Sequence, residues 1–297
     1  MHTLEIPEIN FKTEFPSCLE EMTGDQYIYF VELLLKFENI EIDIEEFKLR
    51  LVMKFLDIRM TARFHLLKKE KQEEILSKIN LLSGLMDSFF VQEVRDEKAV
   101  YVLQVQSIKN FIPVILNKYY GPEDAIQNCT FGEYRIAFGY YKAYINSQHR
   151  VDLNHLVAVL YRPKRKFLWL RKRFPHFDGQ LRTLFTAKSN PRFLETRAKQ
   201  IGKLPMAIRY GIFLFFASCQ EYLSTGKVTI EGNIIDFSIL YKKSDGGSSD
   251  NIGLVGLLYT LAETNVFGSI DETDNQGLYD IMTRLYQVCK QLEIKPK

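Results

Sequence analysis

Between Tyr27 and Leu35 the apolar side chains fall at Tyr27, Phe30, Val31, Leu34 and Leu35, the i, i+3, i+4, i+7, i+8 spacing of one helix face. Thr23-Gly-Asp-Gln26 stands just ahead of them, a capping box in which the Thr and Gln side chains satisfy each other's backbone N–H groups. Asp43 then caps IEEFKLRLVMKFL, whose Ile44, Phe47, Leu51 and Phe55 share one side. A third helix runs through Ile75, Ile79, Leu82 and Met86. After Phe90 the period drops to two. VQEV and AVYVLQV flank RDEK, which reads as a β-hairpin. Before it lies an extended start with Pro7 and Pro16; after it, Pro113 and Gly121-Pro122 break the chain.

A second helical series follows. Thr130-Phe-Gly-Glu133 is another capping box, and Phe131, Tyr134, Phe138, Tyr141 and Ile145 continue it as an aromatic stripe expected in the core. Asp152 is expected to cap the next helix, with Leu153, Leu156, Val157 and Leu160 inward and Pro163 soon after its end. Asn190-Pro191 reads as an N-cap followed by the first helical position. Pro205 opens an apolar helix ending near Thr225-Gly226. KVTIEGNIIDFSILY alternates and turns at Glu231-Gly232-Asn233, a second hairpin. KKSDGGSSDN is a polar loop, and two last helices, about 252–264 and 276–292, are separated by VFGS and the acidic DETD. There is no internal repeat and no heptad long enough for a coiled coil.

The expected fold is therefore mainly α with two small β-hairpins and helical packing, breaking near 121–129. An N-terminal helical subdomain with a hairpin covers 1–125. A C-terminal helical subdomain covers 126–297 and holds the basic segment 161–210 and the hairpin 227–241. With 297 residues, 46% of them hydrophobic, the chain can bury one large core or two modest ones.

Charge changes the picture more than composition does. The formal net charge is only +2, yet residues 161–210 hold 14 Lys or Arg against Asp178 and Glu195. That local excess of +12 leaves −10 on the rest of the chain, and such dipolar proteins meet other surfaces in a set orientation. The four cysteines, Cys18, Cys129, Cys219 and Cys289, lie far apart in apolar surroundings with no zinc or redox spacing, so free buried thiols in a reducing compartment are expected. MHTLEIPEINFKTEF lacks a basic start followed by an apolar run, so no signal peptide is expected. IRYGIFLFFASC (208–219) is too short to span a bilayer and contains Arg209, so a buried helix is expected and no membrane partner.

Motifs of catalysis are sparse. No phosphate-binding G-x-x-x-x-G-K-[ST] occurs; SDGGSSDNIG lacks the lysine and reads as a flexible loop. H-E-x-x-H is absent, and His2, His65, His149, His155 and His176 do not meet carboxylates at ligand spacing. No G-x-S-x-G elbow appears. Glu20-Glu21 and Glu45-Glu46 fall in first turns of helices, where they complement the dipole. The expectation is no enzyme, no catalytic residues, no cofactor and no metal.

The basic block is the remaining candidate. YRPKRKFLWLRKRF (161–174) interleaves Arg162, Lys164, Arg165, Lys166, Arg171, Lys172 and Arg173 with Tyr161, Phe167, Trp169 and Phe174. Cations could meet phosphates while the rings stack on bases. Alternatively the rings tuck inward and the cations cover the surface; four apolar residues in a row, FLWL, favour this second arrangement. An acidic protein surface is then the expected contact of the 162–173 cations, with nucleic acid as the alternative.

Several stretches resemble uncharacterised proteins encoded in the structural-gene clusters of tailed phages and prophages of Bacteroidota. They are IPEINFKTEFPSCLEEMTGDQY, NCTFGEYRIAFGYY with LNHLVAVLYRP, KLPMAIRYGIFLFFASCQEYL, VTIEGNIIDFSILY and LAETNVFGSIDETDNQGLYDIMTRLY. The resemblance implies a virion or morphogenesis role, in head–tail connection, tail assembly or chaperoning of another tail protein. Its partners would be other phage structural proteins in an oligomeric assembly, and its place the host cytoplasm during assembly or the virion. It carries no catalytic residues over.

Overall fold

The structure is a computed structural model and describes residues 1–7, 10–95, 98–171, 173, 181–183, 185, 191–230, 232–240, 262–263 and 266–294. It is mainly helical with small antiparallel sheets, and it divides into two compact units. The first comprises Met1–Ser107 with Met206–Gly211, the second Ile108–Pro205 with Ile212–Lys297. The division thus falls at 107/108 rather than 125/126, because the segment holding Gly121-Pro122 pairs with strands of the second unit.

In the first unit β1 (His2–Ile6) pairs antiparallel with β2 (Phe11–Phe15), His2 opposite Phe15. The helices α1 (Gly24–Glu38), α2 (Ile44–Phe55), α3 (Ala62–His65) and α4 (Lys69–Ser83) follow. Thr23 and Gln26 form the expected capping box on α1, and Asp43 accepts the Glu46 N–H at 2.8 Å at the head of α2. The buried face of α1 is Tyr27, Phe30, Val31, Leu33 and Leu34. Phe30 meets Phe47 edge-on at 5.7 Å and Phe89 at 6.3 Å, and Phe55 meets Phe89 at 6.0 Å. Each such ring removes a large apolar area from water. A 3-10 turn (Gly84–Phe89) leads into the expected hairpin, β3 (Phe90–Arg95) with β4 (Lys98–Leu103).

The second unit opens on a three-stranded sheet in the order β5 (Val114–Ile115), β6 (Tyr119–Tyr120), β7 (Arg162–Pro163). Strands of two residues leave no alternation to read in a sequence. Behind them the Tyr161 ring is buried so close to Gly121 that a Cβ there would come within 2.5 Å of it. α5 (Phe131–Ser147) packs on α6 (Arg150–Leu160), and α6 on α8 (Pro191–Ile201); the short α7 (Leu168–Arg171) lies between them in the chain. α6 starts at His149 with no side-chain cap, so Asp152 sits in its first turn and accepts from Ser147 instead. Pro191 opens α8, while Asn190 lies outside the described residues. α9 (Met206–Thr225) belongs to this unit from Ile212 onward. The second expected hairpin is β8 (Lys227–Ile230) with β9 (Asn233–Asp236), its turn using Gly232 at φ +80°. DETD is no spacer. It forms α10 (Ile270–Asn275), capped by Ser269 and Glu272, before α11 (Leu278–Ile294). The GGSS loop and most of the helix expected at 252–264 lie outside the described residues. Among the described residues no helix is long and apolar enough to cross a membrane.

The aromatic stripe of α5 is only partly core. Phe131, Tyr134, Ala137 and Tyr144 are buried, Phe138 and Tyr141 half-buried, and Ile145 exposed. Ala137 takes the place in the core that the sequence spacing assigns to Phe138.

Candidate functional site

Glu133 stands at the third position of α5, where its backbone N–H donates to the Thr130 hydroxyl at 3.2 Å. The cap is formed, but the carboxylate does not close a capping box. It accepts from Arg162 Nη2 at 2.7 Å and from Arg182 Nη1 at 2.6 Å and Nη2 at 3.2 Å. Arg182 Nη1 also donates to the Leu160 carbonyl at 2.6 Å. Its Nη2 reaches the Asn128 carbonyl and Oδ1, at 3.1 and 3.0 Å, and Cys129 Sγ at 3.4 Å. Glu133, Arg182 and Arg162 are 0%, 1% and 3% exposed, so this is a desolvated charge cluster.

A buried carboxylate between two guanidiniums survives only with its lone pairs filled and its geometry fixed. Both Glu133 oxygens are filled here. Burial pulls the Arg162 guanidinium down to about 10, against the pull of Glu133. For Arg182 burial acts the same way, but Glu133 and Cys129 outweigh it and hold the group above its ordinary value. Arg162 Nε and Nη1 and Arg182 Nε have no hydrogen-bond partner among the described residues. The Arg162 guanidinium instead lies 5.8 Å from the centre of the Phe185 ring. Beside it, burial pushes the Cys129 thiol up to about 12, so it stays a neutral thiol and a poor nucleophile. The cluster joins α5, the end of α6, β7 and the 128–129 loop. Its chemistry is that of a lock.

An adjoining cavity of about 530 Å³ is lined by Asn110, Pro122, Asp124, Asn128 and Arg182 among others. Part of its polar wall is already committed. Asn110 Nδ2 donates to the Pro122 carbonyl at 2.6 Å, Asp124 Oδ1 accepts the Asn110 N–H at 2.7 Å, and Asn128 Oδ1 accepts the Glu123 N–H at 3.0 Å. Among the described residues no group of His, Cys, Asp and Glu could hold a metal ion. His155 shares a hydrogen bond with the Val151 carbonyl at 2.8 Å and stacks on Tyr140.

The seven expected interaction residues therefore part company. Arg162 is a correction: it is a buried structural cation, because β7 places it against Glu133. Lys164, Lys166 and Arg173 are exposed, and Arg165 is half-buried with its backbone N–H on the Leu181 carbonyl. Arg171 ends α7, and Lys172 lies outside the described residues, as does Phe174. The inward placement expected of the rings holds for Tyr161 and fails for two others. Phe167 is 68% exposed and Trp169 65%, and only Leu168 of FLWL is buried. A four-residue helix can seat one side chain against the body, so the rest of the run is left in solvent.

Sequence reasoning missed Glu133 and Arg182 as partners. Glu133 had a sufficient role as a capping residue, and nothing in LRTLF separates Arg182 from a surface cation. Comparison with family models, with curated proteins and with solved structures finds no match to this chain.

Proposed function

We propose that this chain is a non-enzymatic structural or morphogenesis protein of a tailed phage or prophage, acting in head–tail connection or tail assembly by docking to other particle proteins. The phage setting rests on the sequence resemblance. The docking role rests on the β3–β4 hairpin. Its strands pair only with each other among the described residues, and Val91, Val94, Val100 and Tyr101 stand 40–76% exposed along it. A lone two-stranded ribbon is marginal in water. Its open backbone edges and apolar side chains suit cover by a partner's strand or groove. The Glu133 cluster supports the same reading, since its carboxylate is consumed in holding the fold.

Particles purified from a host carrying the parent gene cluster are the test, with the copy number of the chain measured in particles and in assembly intermediates. Val94→Glu with Tyr101→Ser is expected to abolish incorporation while leaving the melting temperature of the isolated chain within a degree or two. Absence of the wild-type chain from particles and intermediates, with normal assembly when its gene is deleted, overturns the proposal.

A further inference from the structure

Two aromatic rings stand in solvent among cations on the segment that runs from β7 into α7. Phe167 and Trp169 flank the buried Leu168, which anchors the short helix. Phe167 has φ +56°, a region that bulky residues rarely enter, in the turn just ahead of α7. Lys164, Lys166 and Arg173 are exposed on the same stretch. The Arg173 guanidinium lies over the Trp169 ring, 5.5 Å from its centre, a cation–π contact that keeps a positive charge beside the exposed indole.

Cations alone would serve an acidic protein as well as a phosphate backbone. The rings decide between them. A nucleobase offers a flat π face to each exposed ring, whereas a surface of carboxylates offers none. A duplex keeps its base faces stacked on one another, so exposed rings find such faces only on an unpaired strand. We propose that Lys164, Lys166, Phe167, Trp169 and Arg173 form a binding surface for single-stranded nucleic acid. Phe167 and Trp169 are the stacking platforms, and the three cations contact phosphates. This surface lies on the second unit and shares no residue with the β3–β4 hairpin, so it stands or falls independently of the docking role.

Trp169 is the only tryptophan in the chain, so its emission reports the site directly. Titration of the full chain with a short oligothymidylate is expected to quench that emission to saturation. The affinity should fall between roughly 50 and 200 mM salt with a log–log slope of about −2, as three phosphates on a single strand require. By anisotropy of a labelled oligonucleotide, Trp169→Ala is expected to weaken binding by roughly tenfold or more, and Trp169→Phe by much less. Lys164→Glu with Lys166→Glu should remove most binding without changing the circular dichroism. Polyglutamate and a duplex of the same length are the competing probes. Polyglutamate binding without oligothymidylate binding makes the surface a dock for acidic protein and overturns the inference. So does equal affinity for the duplex without quenching, and so does binding of none of the three.

Discussion

One carboxylate, Glu133, keeps two guanidiniums that have lost nearly all contact with water. Removing its charge leaves both without compensation, a loss of about 3–5 kcal/mol for a broken buried pair. Glu133→Gln is therefore expected to lower the urea midpoint sharply, and an unchanged midpoint would mean that the cluster holds nothing. Ile40 makes the opposite case. It is 90% exposed at φ +59°, just past the end of α1, where a β-branched side chain is strained and glycine is usual. Ile40→Gly should raise stability by about 1 kcal/mol, seen as a higher melting temperature. Phe138 is half-buried, so its loss to Ala should cost roughly 1–2 kcal/mol, below the 3–5 of a fully buried ring. At this scale the sequence was least informative. Arg162 and Lys164 are two positions apart in one basic run, yet one is buried against Glu133 and the other is exposed.

Elements were far more legible, because caps and apolar periods are local. Thr23 with Gln26, Asp43, Thr130, Pro191 and Pro205 mark helix starts in the sequence, and the structure begins helices there. Where the signal was local but ambiguous, the reading slipped: α6 begins ahead of Asp152, and α10 was hidden by an acidic run that looked like a spacer. Strands of two residues, β5 to β7, had no signal at all. Thr130→Ala should cost only about 1 kcal/mol through the lost cap, a small effect beside that of Glu133 three residues on. At the head of α10 the Ser269 backbone N–H, then its hydroxyl, hold the Glu272 carboxyl below its ordinary value of 4.5. A depressed acid contributes stability that is complete above its unfolded value and is lost as pH falls through its folded one. The capping box should therefore weaken only in acid, below about 4.5. An NMR titration of the Glu272 carboxyl carbon checks this, with Ser269→Ala expected to return its midpoint toward 4.5.

For the whole molecule, the sequence leaves one core or two open and suggests a break near 121–129, whereas the compact units of the structure divide at 107/108. Gly121-Pro122 looks like a linker, yet the segment around it is pinned by Asn110, Tyr161 and the β5–β6–β7 sheet, contacts that come from residues far along the chain. The return of Met206–Gly211 to the first unit is just as invisible, since no local pattern marks it. Each unit has its own core: the Phe30, Phe47 and Phe89 rings in the first, the Glu133 cluster and the α5–α6 face in the second. Separate cores of this kind need not melt as one transition. Trp169 reports only the second unit, whereas circular dichroism reports the helices of both. Phe30→Ala, a fully buried ring, should cost about 3–5 kcal/mol in the first unit. It is expected to shift part of the circular-dichroism melt to lower temperature while the Trp169 fluorescence transition stays in place. Glu133→Gln should move the fluorescence transition together with the second unit's share of the circular-dichroism melt. If Phe30→Ala moves the fluorescence transition as well, the two cores unfold as a single cooperative body.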